Sequence, residues 1–125
     1  MRQFEIVVEN RVGALADVCE VLSRANINLK AISTELKEGI GIIKVVTDDE
    51  ERTKRALENA QMDFNEYEIV KATLRDKPGE ITRLTRALAN LNIDIESVFL
   101  MDKKEGTSEL AFKVNDLKKA RSILQ

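Results

Sequence analysis

Residues 10–28 and 76–94 of this chain carry nearly the same sequence twice, and the repeat constrains the fold more than any local pattern. The first copy reads Asn10-Arg11-Val12-Gly13-Ala14-Leu15, then a helical stretch, then Asn26-Ile27-Asn28-Leu29. The second reads Asp76-Lys77-Pro78-Gly79-Glu80-Ile81, a stretch of the same length, then Asn92-Ile93-Asp94-Ile95. A period of 66 residues carries Gly13 onto Gly79, Val18 onto Leu84, Leu22 onto Leu88 and Ile27 onto Ile93. A chain of 125 residues with that period is expected to form two small domains, residues 1–66 and 67–125.

Local patterns repeat in the same order. Phe4, Ile6 and Val8 alternate with their neighbours as a strand does. Leu15, Val18, Cys19 and Leu22 then follow a helical spacing over residues 13–25, and Asn26 closes the helix. Ile27, Leu29 and Ile32 begin a second strand, Glu38-Gly39-Ile40-Gly41 is a hairpin signal, and residues 42–47 are a third strand. Asp48-Asp49 caps a second helix over about residues 50–60, and Phe64–Glu66 supplies a short fourth strand. In the second half Tyr67, Ile69 and Leu74 are read as a strand. Ile81, Leu84, Leu88 and Leu91 mark a helix, and residues 93–101 and 110–114 form a hairpin about two residues longer than the first. Asp116 caps a last helix. Right-handed crossovers turn this order into an α+β fold of two ferredoxin-like βαββαβ units. Their helices lie on one face of an antiparallel sheet, and the second unit lacks its last strand.

Composition narrows the function. Net charge is −2 with both signs mixed, so the basic excess that drives phosphate-backbone binding is missing. The third strand, Ile42-Ile43-Lys44-Val45-Val46, has no stacking aromatics, which counts against an RRM-like nucleic-acid binder. There is no histidine, and one cysteine, Cys19, sits on an apolar helix face. No catalytic constellation, metal site or cofactor is expected, and the chain reads as a non-enzyme. No apolar run reaches membrane-span length and no signal-peptide pattern opens the sequence, so a cytoplasmic location is expected.

The repeated loop is the candidate site. A glycine at the start of a helix permits close backbone approach, and the helix N-terminus offers unpaired N–H groups suited to a carboxylate or phosphate. The same glycine also suits a plain strand-to-helix turn. Asn10 and Asp76 are favoured turn residues in either case, Asn26 and Asn92 are helix terminators, and Lys103-Lys104 and Lys118-Lys119 are solvated charge.

Asp76-Lys77-Pro78-Gly79-Glu80-Ile81 followed by Leu84, Leu88 and Asn92-Ile93-Asp94-Ile95 resembles the signature of ACT domains. Residues 10–15 and 26–29 resemble it too, with Val12 where that family usually has Pro. The resemblance covers nearly the whole chain as a tandem pair. It implies a regulatory module that binds a small amino acid or similar zwitterion, pairs side by side into a dimer, and acts on a separate enzyme or regulator of amino-acid metabolism. Carried over by position, the ligand-binding residues are Asn10, Val12, Gly13, Ala14, Leu15 and Asn28 in the first copy. In the second they are Asp76, Pro78, Gly79, Glu80, Ile81 and Asp94. The resemblance implies that backbone N–H groups around Gly13-Ala14-Leu15 and Gly79-Glu80-Ile81 hold an α-carboxylate, and that Asn10, Asn28, Asp76 or Asp94 accept from an α-ammonium. Pro78 stiffens the second loop, which favours Asp76–Ile81 if one loop alone binds. The competing reading is an interaction subunit without ligand, motivated by the uncovered sheet edge in the second half.

Overall fold

A computed structural model describes residues 1–124. The chain divides into two compact units, Arg2–Tyr67 and the segment from Glu68 onward together with Met1. In the first, β1 (Arg2–Glu9), α1 (Ala14–Arg24), β2 (Leu29–Lys37), β3 (Ile40–Thr47), α2 (Glu50–Asn59) and β4 (Asp63–Glu68) follow in order. Its sheet runs β2-β3-β1-β4, with β3 antiparallel to both β1 and β2. The second unit repeats the order as β5 (Val70–Arg75), α3 (Glu80–Asn90), β6 (Ile95–Lys104), β7 (Thr107–Val114) and α4 (Leu117–Leu124). Its described strands run β5-β7-β6, again with antiparallel neighbours. This is the expected pair of ferredoxin-like units. Tyr67 falls inside β4 rather than beginning the next strand, and Ile69 alone separates β4 from β5. No helix among the described residues is long and apolar enough to cross a membrane.

Each core lies between a sheet and its helices. Phe4, Ile6, Ile43 and Val45 from the first sheet meet Val18 and Leu22 of α1 and Leu57 of α2. In the second unit Val70, Leu74, Leu110 and Phe112 meet Leu84, Leu88 and Ala120. The inward stripe of α1 is Ala14, Val18 and Leu22, each four residues apart and therefore on one helix face. Leu15 is turned out of that stripe and is 39% exposed, and Ile81 in α3 is 55% exposed. Both helices were expected to bury these residues. Each lies in the first turn of its helix, on the flank of the buried stripe rather than at its centre.

Asn26 and Asn92 end their helices as the sequence suggests. Their φ values are 58° and 57°, the left-handed conformation that asparagine tolerates. Each terminus is a Schellman motif. Ile27 N–H donates to the Leu22 carbonyl and Asn26 N–H to Ser23, while Ile93 N–H donates to Leu88 and Asn92 N–H to Ala89. Leu22 and Ile27 belong to one core cluster, so the cap also fastens apolar packing. Asn92→Val is expected to lower stability by about 1–2 kcal/mol, read from urea denaturation, because a β-branched side chain is strained in that conformation.

The two hairpins close over turns of equal length, with Lys37 opposite Ile40 and Lys104 opposite Thr107. The second is longer for another reason than its turn. Met101 is skipped between the Leu100–Leu110 and Asp102–Glu109 pairs, so β6 carries one extra residue as a bulge.

Candidate ligand site

The loop between first strand and first helix has one geometry in both units. Ala14 N–H donates to the Arg11 carbonyl at 3.3 Å, and Glu80 N–H to the Lys77 carbonyl at 3.4 Å. Gly13 has φ 92° and ψ −7°, and Gly79 has φ 90° and ψ −15°. Those torsions are the third position of a type II turn, which requires positive φ there and favours proline just before it. Pro78 therefore matches its position, and Val12 fills the same position with a side chain wholly in solvent. The turn also consumes two of the N–H groups expected to face a ligand. Ala14 and Glu80 donate inward, which leaves Gly13 and Leu15, and Gly79 and Ile81, as the N–H groups at each helix N-terminus that the turn does not use.

Side chains make the two loops unequal. In the first, the Arg11 guanidinium folds over the turn, pairing with Asp17 and donating to the Val12 carbonyl at 3.3 Å. In the second, Asp76 is ion-paired with Lys103 at 3.2 Å. Where the first loop has Ala14, the second has Glu80, whose carboxylate lies 3.4 Å from Arg83. The hydrogen bond from Arg83, its charge, the Arg75 N–H and the charge of Lys77 together hold the Glu80 carboxyl below its ordinary 4.5, against opposing desolvation. A depressed folded-state value stabilises the fold above the unfolded pKa and ceases to do so as pH falls through the folded value. The stability difference between wild type and Glu80→Gln is thus expected to shrink as pH falls below the ordinary carboxyl value of 4.5, measured by denaturation at each pH.

Asn28 and Asp94 occupy equivalent positions in a reciprocal clasp. Asn28 N–H donates to Asp48 Oδ1 at 3.0 Å and the Asp48 N–H returns to the Asn28 carbonyl at 3.1 Å. Asp94 N–H donates to Asn115 Oδ1 at 2.9 Å and the Asn115 N–H returns to Asp94 at 3.2 Å. Asp48 and Asn115 were not singled out from the sequence as partners of the site residues. The Met101 bulge puts them out of step with the 66-residue repeat, and that offset hides the equivalence.

Within one unit the loop and the clasp are apart. Glu9 pairs with Ile40, at the hairpin end of the sheet, whereas Leu29 pairs with Thr47 at the other end. The strand rise over that interval separates Asn28 from the Gly13 loop by roughly 20 Å. Two clefts reflect this. One of about 470 Å³ is lined by Glu9, Asn10, Gly39 and Ile40. Another of about 540 Å³ is lined by Cys19, Ser23, Asn26, Asn28 and Asp48. Asp94 stands in the same relation to Gly79, because β5, β6 and β7 keep the same directions. The structure therefore gathers Asn10, Val12, Gly13, Ala14 and Leu15 at one end of the first unit and leaves Asn28 at the other. The outer strand between them is apolar on its helix-side face, with Ile32 42% and Leu36 62% exposed. In β6 the corresponding positions include Val98 and Leu100, 53% and 58% exposed.

Residues 4–62 match the family described as the AHAS small subunit-like ACT domain. No curated protein sequence matches the chain. Among solved structures the chain is similar to a protein from Bacteroides thetaiotaomicron, at 24% identity and a TM-score of 0.90, covering 98% of this chain and 85% of that one. It is also similar to the ligand-free regulatory subunit of aspartate kinase from Thermus thermophilus, at 16% identity and a TM-score of 0.73. That match covers 98% of this chain and 87% of the other. At such identities the likeness is one of fold.

Proposed function

We propose, from the match of residues 4–62 to the ACT-domain model and the repeat of that fold in the second half, a regulatory protein that binds a small amino acid or similar zwitterion. The observation that carries the reading is the direction of β2. It is an edge strand whose start lies at one end of the sheet and whose finish lies beside the Gly13 loop. Antiparallel pairing of β2 with the β2 edge of a second copy brings Asn28 of the partner subunit next to that loop. The exposed Leu15, Ile32 and Leu36 give such a seam apolar contact. A homodimer thus unites the residues that a single unit keeps apart.

In that arrangement the Gly13 and Leu15 N–H groups receive the α-carboxylate at the positive end of α1. Asn10 and Asn28 of the partner subunit accept from the α-ammonium. The equivalent site in the second unit uses Asp76, Gly79, Ile81 and Asp94, but Glu80 places a carboxylate on its turn. This favours the first loop over the proline-stiffened second. The role is non-catalytic, and the signal passes to a separate enzyme.

Isothermal titration of the full chain against the twenty amino acids tests the proposal, with sedimentation velocity reporting the dimer. Saturable heat from one or a few amino acids, abolished in Asn28→Ala, is the expected result. Silence across the panel at millimolar concentrations sinks it.

A further inference from the structure

We propose that Lys103 holds the second loop closed to ligand, so that each chain binds one small amino acid rather than two. In the binding mode proposed above, on which this rests, Asp76 serves the α-ammonium of a ligand in the second unit. Lys103 Nζ lies 3.2 Å from Asp76 Oδ2 and places an ammonium of the chain itself at that carboxylate.

The hairpin brings the lysine there. Asp76 N–H donates to the Gly106 carbonyl at 3.0 Å, which ties the start of the loop to the tip of the β6–β7 turn. The closing pairs of the two hairpins are Lys37–Ile40 and Lys104–Thr107, so Lys103 stands where β2 has Leu36. The 66-residue repeat alone would carry Leu36 onto Asp102. The Met101 bulge moves the register on by one and puts a base in place of an acid. Lys103 pairs with Ser108, which alternates with the core residues Leu110 and Phe112. Lys103 therefore belongs to the helix side of the sheet, where α3 and its turn lie.

The first loop differs at both positions together. Asn10 takes the place of Asp76 and is uncharged, and Leu36, 62% exposed, has neither charge nor donor. An ion pair in one unit thus corresponds to a neutral and an apolar side chain in the other. An exposed ion pair adds little to stability, but its effect on binding is greater because the lysine is tethered. A group on a short tether acts at an effective concentration on the order of millimolar, whatever the level of free ligand. A second ammonium entering beside Asp76 also meets a like charge. Glu80 bears on the other end of the ligand, and its carboxylate is turned to Arg83 and the Arg75 N–H. Lys103 is therefore the group that competes for the ammonium position.

The full chain, Lys103→Gln and Lys103→Arg are each titrated with the twenty amino acids by calorimetry, and the Gly13 and Gly79 amides are followed by proton–nitrogen NMR. Lys103 is exposed, so both variants leave the core untouched. The wild type should bind one ligand per chain, with the Gly13 amide shifting and the Gly79 amide still. Lys103→Gln should bind two and shift both amides. Lys103→Arg keeps a cation on Asp76 and should bind one. Two ligands in the wild type, an unchanged count in Lys103→Gln, or two in Lys103→Arg overturns the proposal. If the wild type is silent, one site in Lys103→Gln with the Gly79 amide shifting upholds the proposal and overturns the reading of the first loop. Silence in both overturns both.

Discussion

Phe4→Ala is expected to destabilise the first unit by about 3–5 kcal/mol, the largest effect of any single truncation proposed for this chain. Phe4 is fully buried and stands opposite Val45 in the β1–β3 ladder. Its ring lies 6.0 Å from that of Phe64, which ties β4 to the core. The Arg2 guanidinium sits over the same ring at 6.0 Å while pairing with Glu50, Glu51 and Glu66. Alanine would leave a cavity under the centre of the sheet and remove the surface on which β4 docks. Small domains have about 5–15 kcal/mol in total, so the loss takes much of what the unit has. Urea denaturation followed by circular dichroism measures it. Val12→Ala, at a side chain wholly in solvent, should change stability by no more than about 0.5 kcal/mol in the same assay.

Gly13→Val is expected to weaken amino-acid binding at least about tenfold while costing about 1–2 kcal/mol of stability. Space is not the obstacle. A Cβ at Gly13 would meet only the Arg11 Nη1 atom, at an ordinary 3.5 Å. The torsion is the obstacle, because a β-branched residue strongly disfavours φ near 92°. The turn must reopen, and the N–H groups at the start of α1 swing away from a bound carboxylate. Gly79→Val carries the same strain at φ 90°. It should leave affinity largely intact if the first loop is the one that binds. Titration calorimetry separates the outcomes, since equal affinity in wild type and Gly13→Val would remove the first loop from the site.

The repeat made most of the architecture legible. Strand alternation, helix spacing and the asparagine terminators all lie within a few residues of one another, and local sequence is enough to read them. Asp49 accepts from the Arg52 N–H at 2.9 Å and Asp116 from the Lys119 N–H at 3.1 Å, as their positions ahead of α2 and α4 suggest. The turn at each helix start was legible as a glycine turn but not as a type that uses up the Ala14 and Glu80 N–H groups. That depends on torsions, which sequence constrains only through Gly and Pro. Leu15 and Ile81 look inward by spacing alone, yet each lies on the flank of its helix's buried stripe and is exposed. Grouping Asn28 with Gly13 failed within one unit for a different reason. Proximity in a motif says nothing about which end of an antiparallel sheet each residue reaches, and that follows from strand direction.

The clasps at Asn28 and Asp94 hold one amide and one carboxylate each, with the two side chains exchanged between strand start and strand end. A graft of one residue across the repeat would break this parity. Asn28→Asp alone would bring a second carboxylate next to Asp48, and Asp94→Asn alone would leave two amides and no charge. The clasp bonds run from the backbone of Asn28 and Asp94 to the side chains of Asp48 and Asn115, so a chimera that exchanges strand starts keeps those bonds and changes the charge beside each clasp.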